Sequence, residues 1–548
     1  MTAVKKKIHI NRLGYMTGMP KSAVCSVTAG IFYLVDAVRG VSVYAGRLSH
    51  PFYDRESGDT VRLADFSDYN VKGRYFIRAG YRRSDEFEIS ENPYKNIRST
   101  ILHGIYLNRC GFNFENDSFS EREDEDFMRR ECHMDPIAFR SDSDATRNVS
   151  GGWHSAGCYC RNTVSACLTA ADMLYALKLF RGSFPKPERV LIEDECRWGL
   201  DWLMKMQDSD GGVYSGIDAR HSDTFVAPDE DNDEYFIEDK TCRAALRFTA
   251  VTALAADCFR GVDMSYAKKL RNAAEKSWLW IVQSDEYNYY TGKDGSCSES
   301  GEGAFRLESD FMWAMCEMYS LTGDDSFADM ISRKYVTSVF TGFGGTQCGG
   351  FAALSYLLSE HNRDRAVEAF IRKRLIDRAE RMLIAIKESG YRTARSAGGG
   401  YCYGSNADVL SDCMDFITAY LISGDQRYLS GATDQFSYIF GQNPMDIMYM
   451  TGAGEEYCRF PSHKLSISSN SDSPLPGMIV SGANGERGDE YSKWHIEKGM
   501  PPAKCYIDNE YSFSTNEPAV HFSAPVIFVS AFYDKVGRSA LSGLREQG

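Results

Sequence analysis

Apolar and polar positions alternate with a period of two over residues 8–90. The short runs KSAVCSVTAG, GIFYLVDAVRG, VSVYAG, DTVRLADFSD and GRYFIRAG are separated by Gly, Asp and Ser. That spacing predicts an antiparallel β-sandwich of immunoglobulin-like size over residues 1–95, with ENPYKNI at 91–97 as the boundary. Beyond residue 97 the period lengthens. Val164, Leu168, Ala171 and Tyr175 step by four, three and four, and Ile192, Cys196, Leu200 and Leu203 by four, four and three, each set on one helix face. Further helices are predicted near 241–260, 264–284, 307–321, 347–359, 366–389, 406–423 and 524–535. LTGDDSF at 321–327 and ISGDQRY at 422–428 each close one helix and open the next. Repeated helix hairpins over residues 96–548 predict stacked helix pairs, as an open solenoid or a closed α/α toroid. Long loops rich in glycine and aromatics favour the toroid, with a loop-built cleft at one end.

Composition narrows the function classes. The chain has 548 residues, 43% hydrophobic and 25% charged, which is ordinary for a globular protein with two domains. A net charge of −14 disfavours nucleic acid and an anionic membrane surface as partners. No run reads as long and apolar enough to span a membrane. The start, MTAVKKKIHINRLGY, has no apolar stretch after its lysines and does not read as a signal peptide. The expectation is a cytoplasmic protein whose 16 scattered cysteines are mostly reduced and buried.

Three stretches carry candidate chemistry. GGWHSAGCYCRN at 151–162 is a glycine turn flanked by Trp153 and Tyr159, a combination suited to sugar rings, although a core-packed turn is the blander reading. YIDNEYSFSTNEPAVHFSAP at 506–525 places Asp508 and Glu517 among aromatics. Desolvation there raises a carboxyl pKa, as a general acid requires. Glu517 also suits the first turn of a helix starting near Pro518. MTGAGEEYCRFPSHKLS at 450–466 presents His463 and Lys464 after a glycine turn, and reads on its own as a solvated loop.

Taken in order, these stretches resemble glycoside hydrolase family 9, the cellulase family, in its subgroup with an N-terminal immunoglobulin-like module. The matching segments run from INRLGY and VRLADFSD through NRCG, ECH, GGWHSAGCY and RWGLDWLMKMQ. They continue through GGVY, YGSN and DQFSYIFGQNP to PPAKCYIDNEYSFSTNEPAV. The resemblance implies an (α/α)6 toroid after the sandwich, inverting hydrolysis of β-1,4-glucans and no organic cofactor. Glu517 matches the general acid and Asp508 its companion. Trp153, His154, Tyr403, His463, Lys464 and Tyr511 are the candidate sugar contacts.

The departures lie at the centre. The family's turn reads Gly-Gly-Trp-His/Tyr-Asp-Ala-Gly-Asp, its two aspartates holding and deprotonating the attacking water. Here they are Ser155 and Cys158, the latter at the base position. The family's Pro-His-x-Arg is Pro461-Ser462-His463-Lys464, Ser523 replaces an Asn, and Ser215 stands where relatives often carry His. An inverting glycosidase needs two carboxyl groups roughly 6.5–9.5 Å apart. Losing base assistance costs on the order of 10²–10⁴ in rate. Four readings follow: a hydrolase with altered base; a phosphorylase using Arg161, His154 and Lys464 to receive phosphate; a non-catalytic carbohydrate binder; or engineered substitutions. The partner in each is a carbohydrate, and the oligomeric state stays open.

The resemblance also implies a structural zinc held by Cys110, Cys132 and His133, with Gly111 where some relatives have His, and His103 or water as the fourth ligand. His154, Cys158 and Cys160 form a second Cys/His cluster, read as chance. Calcium sites occur in the family, but no acidic loop here identifies one.

Overall fold

The computed structural model describes residues 8–545, apart from 116–125, 221–224, 292–306, 398 and 470. The alternating N-terminal pattern forms two facing sheets. One has strands Ile8–His9, Ser22–Cys25, Asp59–Asp65 and Phe52–Asp54. The other is built on Tyr15–Met16, Phe87–Ser90, Gly73–Ala79, Ile31–Asp36 and Ser42–Arg47. Pairing is antiparallel throughout except between Phe87–Ser90 and Tyr15–Met16. Phe32, Leu34, Tyr75, Ile77, Phe87 and Ile89 fill the space between the sheets, as the period of two requires.

The remainder is a ring of six inner helices wrapped by six outer ones. The inner helices are Thr163–Phe180, Cys242–Phe259, Glu308–Thr322, Gly349–Leu358, Ser405–Ser423 and Pro525–Arg545. Lys95–Leu107, Lys186–Met206, Met264–Ile281, Asp325–Lys334, Arg365–Lys387 and Gln426–Ile439 lie outside them. Packing of Pro525–Arg545 against Thr163–Phe180 closes the ring. Inner helices are apolar nearly all round because both sides are covered, whereas outer helices keep one polar face. The helix at Thr163–Phe180 therefore corrects one expectation. It is long and apolar enough to cross a membrane, but most of it is buried inside the toroid. The two echoed turns are one device used twice. Gly323 and Gly424 take left-handed φ of 68° and 72°, which a Cβ disfavours, and close one helix. Asp324 and Asp425 then accept from Ser326 N and Arg427 N to cap the next.

Sequence periodicity gives no sign of a third sheet. The loops at one end of the ring pair as Thr146–Arg147, Ile137–Phe139, Tyr235–Ile237, Gly216–Ala219 and Arg161–Asn162. These strands have two to four residues, too short for an alternating signal. The sandwich docks on the toroid through polar contacts. Asp59 accepts from Lys504 Nζ at 2.6 Å and from the Tyr391 hydroxyl at 2.9 Å, and Asp54 from Gly390 N at 2.9 Å. Among the described residues no two cysteines are joined, and most are buried.

Candidate active site

The turn at 151–160 is stitched to residues 108–110: Cys110 N donates to Gly152 O at 2.8 Å and His154 N to Asn108 O at 2.9 Å. Trp153 corrects its assignment as a sugar contact. Its ring is 2% exposed, and its Nε1 donates to Glu195 at 2.6 Å. The ring lies on Gly199, where an added Cβ would stand 2.0 Å from it. Gly199→Ala is therefore expected to cost about 1–3 kcal/mol or more by overpacking, read as a lowered denaturation midpoint with unchanged ligand affinity per folded molecule.

Past Trp153 the turn closes on itself. Ser155 N and Oγ both donate to Cys160 O, at 3.0 and 3.2 Å. The Ser155 hydroxyl is thus buried and engaged. Cys158, half-buried at the tip, accepts from Cys160 N at 3.4 Å. The Cys160 thiol contacts Asp218 Oδ1 at 3.1 Å. Cys158, then burial, push its pKa far above the ordinary thiol value, so Cys160 stays protonated.

Glu517 forms the facing wall, at the end of the short helix Phe513–Asn516. One carboxyl oxygen accepts from Gly157 N at 3.1 Å and the other from the Tyr403 hydroxyl. Burial raises its pKa above the ordinary carboxylate value, against these two hydrogen bonds, which favour the ionised form. Burial, then the neighbouring Glu517 carboxylate, raise the Tyr403 hydroxyl pKa well above its ordinary value, with a smaller contribution from Cys158. No side chain fits at Gly157, because a Cβ there would meet Ser462 O at 1.9 Å.

Asp508 fixes this wall. Its carboxylate accepts from Arg459 N (2.8 Å), Phe460 N (2.9 Å) and Asn516 Nδ2 (3.0 Å), tying the 450–466 loop to the acid's helix. The picture of His463 and Lys464 as a solvated, sugar-facing pair is corrected, since both are 2% exposed. His463 sits between Ser466 Oγ (2.8 Å) and Asn108 Oδ1 (3.2 Å), and burial lowers its pKa to about 3. Lys464 Nζ reaches Asp233 at 3.0 Å. Tyr511 remains open, 56% exposed, with its ring edge-on to Phe225.

A second cluster lies directly behind the turn. Cys110, Cys132, His133 and His154 each offer a donor atom, all within 4.8 Å of one another. Cys132 Sγ is 4.0 Å from Cys110 Sγ and 3.8 Å from His154 Nε2, and His133 Nδ1 is 3.7 Å from Cys110 Sγ. Two sulfurs and two nitrogens at this separation suit a tetrahedral ion with bonds of about 2.0–2.3 Å. Asp231 supports the set: its Oδ2 meets His133 Nε2 at 3.3 Å and accepts from the Tyr235 hydroxyl at 2.6 Å, the outer-shell contact that orients a ligand histidine. The cluster corrects two assignments, those of His154 and His103, and agrees with reading the His154–Cys158–Cys160 grouping as chance. His154 is turned into it rather than toward sugar, and it supplies the fourth donor. His103 stacks on Tyr106 instead. The His154–Cys158–Cys160 grouping is split between this cluster and Asp218. Among the described residues no other such group of His, Cys, Asp and Glu accompanies it.

Sequence reasoning missed Glu195, Asn108, Asp231 and Asp233. The two aspartates lie in the acidic run PDEDNDE, which has no local signature, and Asp233 meets its lysine across 231 positions.

A β-sandwich on an (α/α)6 toroid whose loops hold a hydrogen-bonded, half-buried glutamate defines a glycosidase-type protein. The chain belongs to glycosyl hydrolase family 9, whose model matches residues 94–530, and the cellulase N-terminal ig-like domain matches residues 3–84. It is 29% identical to a cellodextrinase of Butyrivibrio fibrisolvens over 99% of this chain and all of that protein. It is 28% identical to endoglucanase D of Acetivibrio thermocellus, over 96% and 83% of the two lengths. The solved structure of a metagenome-derived glycoside hydrolase family 9 endoglucanase superposes with a TM-score of 0.85 at 27% identity, over 96% of this chain and 98% of that one. A zinc-binding triple mutant of the family 9 endoglucanase J30 superposes at 0.83 with 25% identity, over 94% and 99%.

Proposed function

We propose that the protein hydrolyses β-linked glucan oligosaccharides slowly, with Glu517 as general acid and Cys158 standing at the base position. The observation that carries this is the Glu517 carboxyl, half-buried, raised in pKa and held by Gly157 N and Tyr403. An acid so placed serves to protonate a leaving oxygen, and a passive binder has little use for it. Neither Ser155, bonded to Cys160 O, nor Cys158 supplies a second carboxylate, which accounts for low expected turnover.

Phosphorolysis has less support. Of the three cations that would receive phosphate, His154 faces the Cys/His cluster and Lys464 is paired with Asp233. Arg161 is fully buried, donating to Val149 O and Gly151 O.

We also read Cys110, Cys132, His133 and His154 as a structural zinc site. Bound there, the ion would lock the backbone on both sides of the turn.

Glu517→Gln is expected to abolish product release from cello-oligosaccharides at unchanged thermal stability; retained activity would refute the acid assignment. The pH dependence follows from the raised pKa. The active form is protonated, so the rate declines as pH rises through the Glu517 pKa, at higher pH than an ordinary glutamate would allow. Tyr403→Phe removes a donor that favours the ionised form. It is expected to move this basic limb to higher pH, read from the pH–rate profile.

A further inference from the structure

We propose that Cys158 and Cys160 form a dithiol modification site on the cleft wall, which hydrogen peroxide oxidises reversibly to an internal disulfide that closes the base position. The effect on hydrolysis rests on the reading of Glu517 as the acid with Cys158 at the base position, whereas the site itself rests on the two thiols. Among the described residues four cysteines are half-buried, Cys158, Cys160, Cys258 and Cys402, and the rest are buried. Cys158 and Cys160 are the two of these four that adjoin. The chain bends through 156–159, and Ser155 N and Oγ close the bend on Cys160 O at 3.0 and 3.2 Å. The bend folds Cys158 back, so that its Sγ accepts from Cys160 N at 3.4 Å. The two thiols also meet, since a hydrogen bond with Cys158 is the largest cause keeping Cys160 protonated. Cα atoms two positions apart cannot exceed about 7 Å and come closer in a bend, which brings them into the roughly 4.4–6.8 Å that a disulfide spans.

The surroundings divide the roles. Asp218 Oδ1 lies 3.1 Å from the Cys160 sulfur, because strand Gly216–Ala219 pairs with Arg161–Asn162 in the register Arg161↔Ile217. Cys160 keeps its proton, and Cys158, at the tip, meets the oxidant. The Cys158 sulfur attacks one peroxide oxygen, the O–O bond breaks, and a sulfenic acid and one water result. The Cys160 sulfur then attacks Cys158 Sγ. The S–S bond forms as the S–O bond breaks, and the hydroxide leaves as a second water with the proton that Asp218 takes from Cys160. The disulfide withdraws the Cys158 sulfur as a proton acceptor. It also tightens the bend next to Gly157, whose N–H holds Glu517 at 3.1 Å. The other close thiol pair, Cys110 and Cys132, is buried with two histidines and lies out of an oxidant's reach.

The test is treatment of the full chain with hydrogen peroxide, read by intact mass, by peptide mapping and by sugar release from a cello-oligosaccharide. The proposal predicts a loss of about 2 Da per chain, for the two hydrogens removed, mapped to Cys158–Cys160 and restored by dithiothreitol. Sugar release should fall in step with the bond and return on reduction. Cys160→Ser should abolish the bond and leave a Cys158 sulfenic acid that dimedone traps. A bond mapped to other cysteines, or a wild-type Cys158 that oxidises without bonding to Cys160, overturns the proposal. A Cys158–Cys160 bond with undiminished hydrolysis supports the site and refutes Cys158 as the base position. Absence of hydrolysis by the reduced protein refutes the catalytic reading, and the mass and mapping still decide the site.

Discussion

Cys158→Asp is expected to raise the hydrolysis of cello-oligosaccharides by on the order of 10²–10⁴, the usual worth of a positioned general base. The neighbouring residue, Gly157, already touches the acid through its N–H, so the substitution adds the missing carboxylate to a pocket whose acid is in place. Ser155→Asp alone is expected to do little. An aspartate at 155 accepts but does not donate, so it loses the Oγ bond to Cys160 O and faces that carbonyl's negative end. The double variant gains from position 158 and pays at position 155. Cys158→Asn, similar in shape without the charge, is the control and should remain slow. Sugar release measured under single-turnover conditions checks the series. No gain in Cys158→Asp would place the water-activating position elsewhere.

Metal removal is the second large effect. Four buried donors from three segments, at 110, 132–133 and 154, converge on one point. Without an ion, two thiols and two imidazoles are buried against one another with poor hydrogen-bond geometry. Chelation, or Cys132→Ser, is expected to cost several kcal/mol and to lower Tm by roughly 5–10 °C, because the ion binds the folded form alone. It should also loosen the 151–160 turn and so weaken sugar binding. Cys160→Ser, outside the cluster, should leave the metal content at one ion per chain. Elemental analysis of the two variants separates this cluster from the His154–Cys158–Cys160 alternative.

The architecture was legible because its signals are long. Period-two runs marked the sandwich strands, and steps of three and four marked helices whose ends agree within a few residues. The Gly–Asp turn was visible as a repeated string because one capping geometry serves both copies. The short strands around the cleft left no such trace. Side-chain direction was also hidden. GGWH reads as aromatic display until Gly199 is seen to open a slot for Trp153. His463 and Lys464 read as exposed until Asn108 and Asp233 are found across the fold. Each is decided by a partner far away in sequence. Glu517 and Asp508 stood out because they lie in one aromatic-rich stretch, yet of the groups that hold them only Asn516 is local; Gly157, Tyr403, Arg459 and Phe460 come from distant segments.

The central claim is that a working acid faces a base position without a carboxylate. It is tested most directly by product analysis on a cello-oligosaccharide, in phosphate-free buffer and again with phosphate. The account predicts slow release of sugars with the α-anomer first formed, the same rate in both buffers and none in Glu517→Gln. A product that forms only with phosphate, as a sugar 1-phosphate, or no product over days in either buffer, would contradict it.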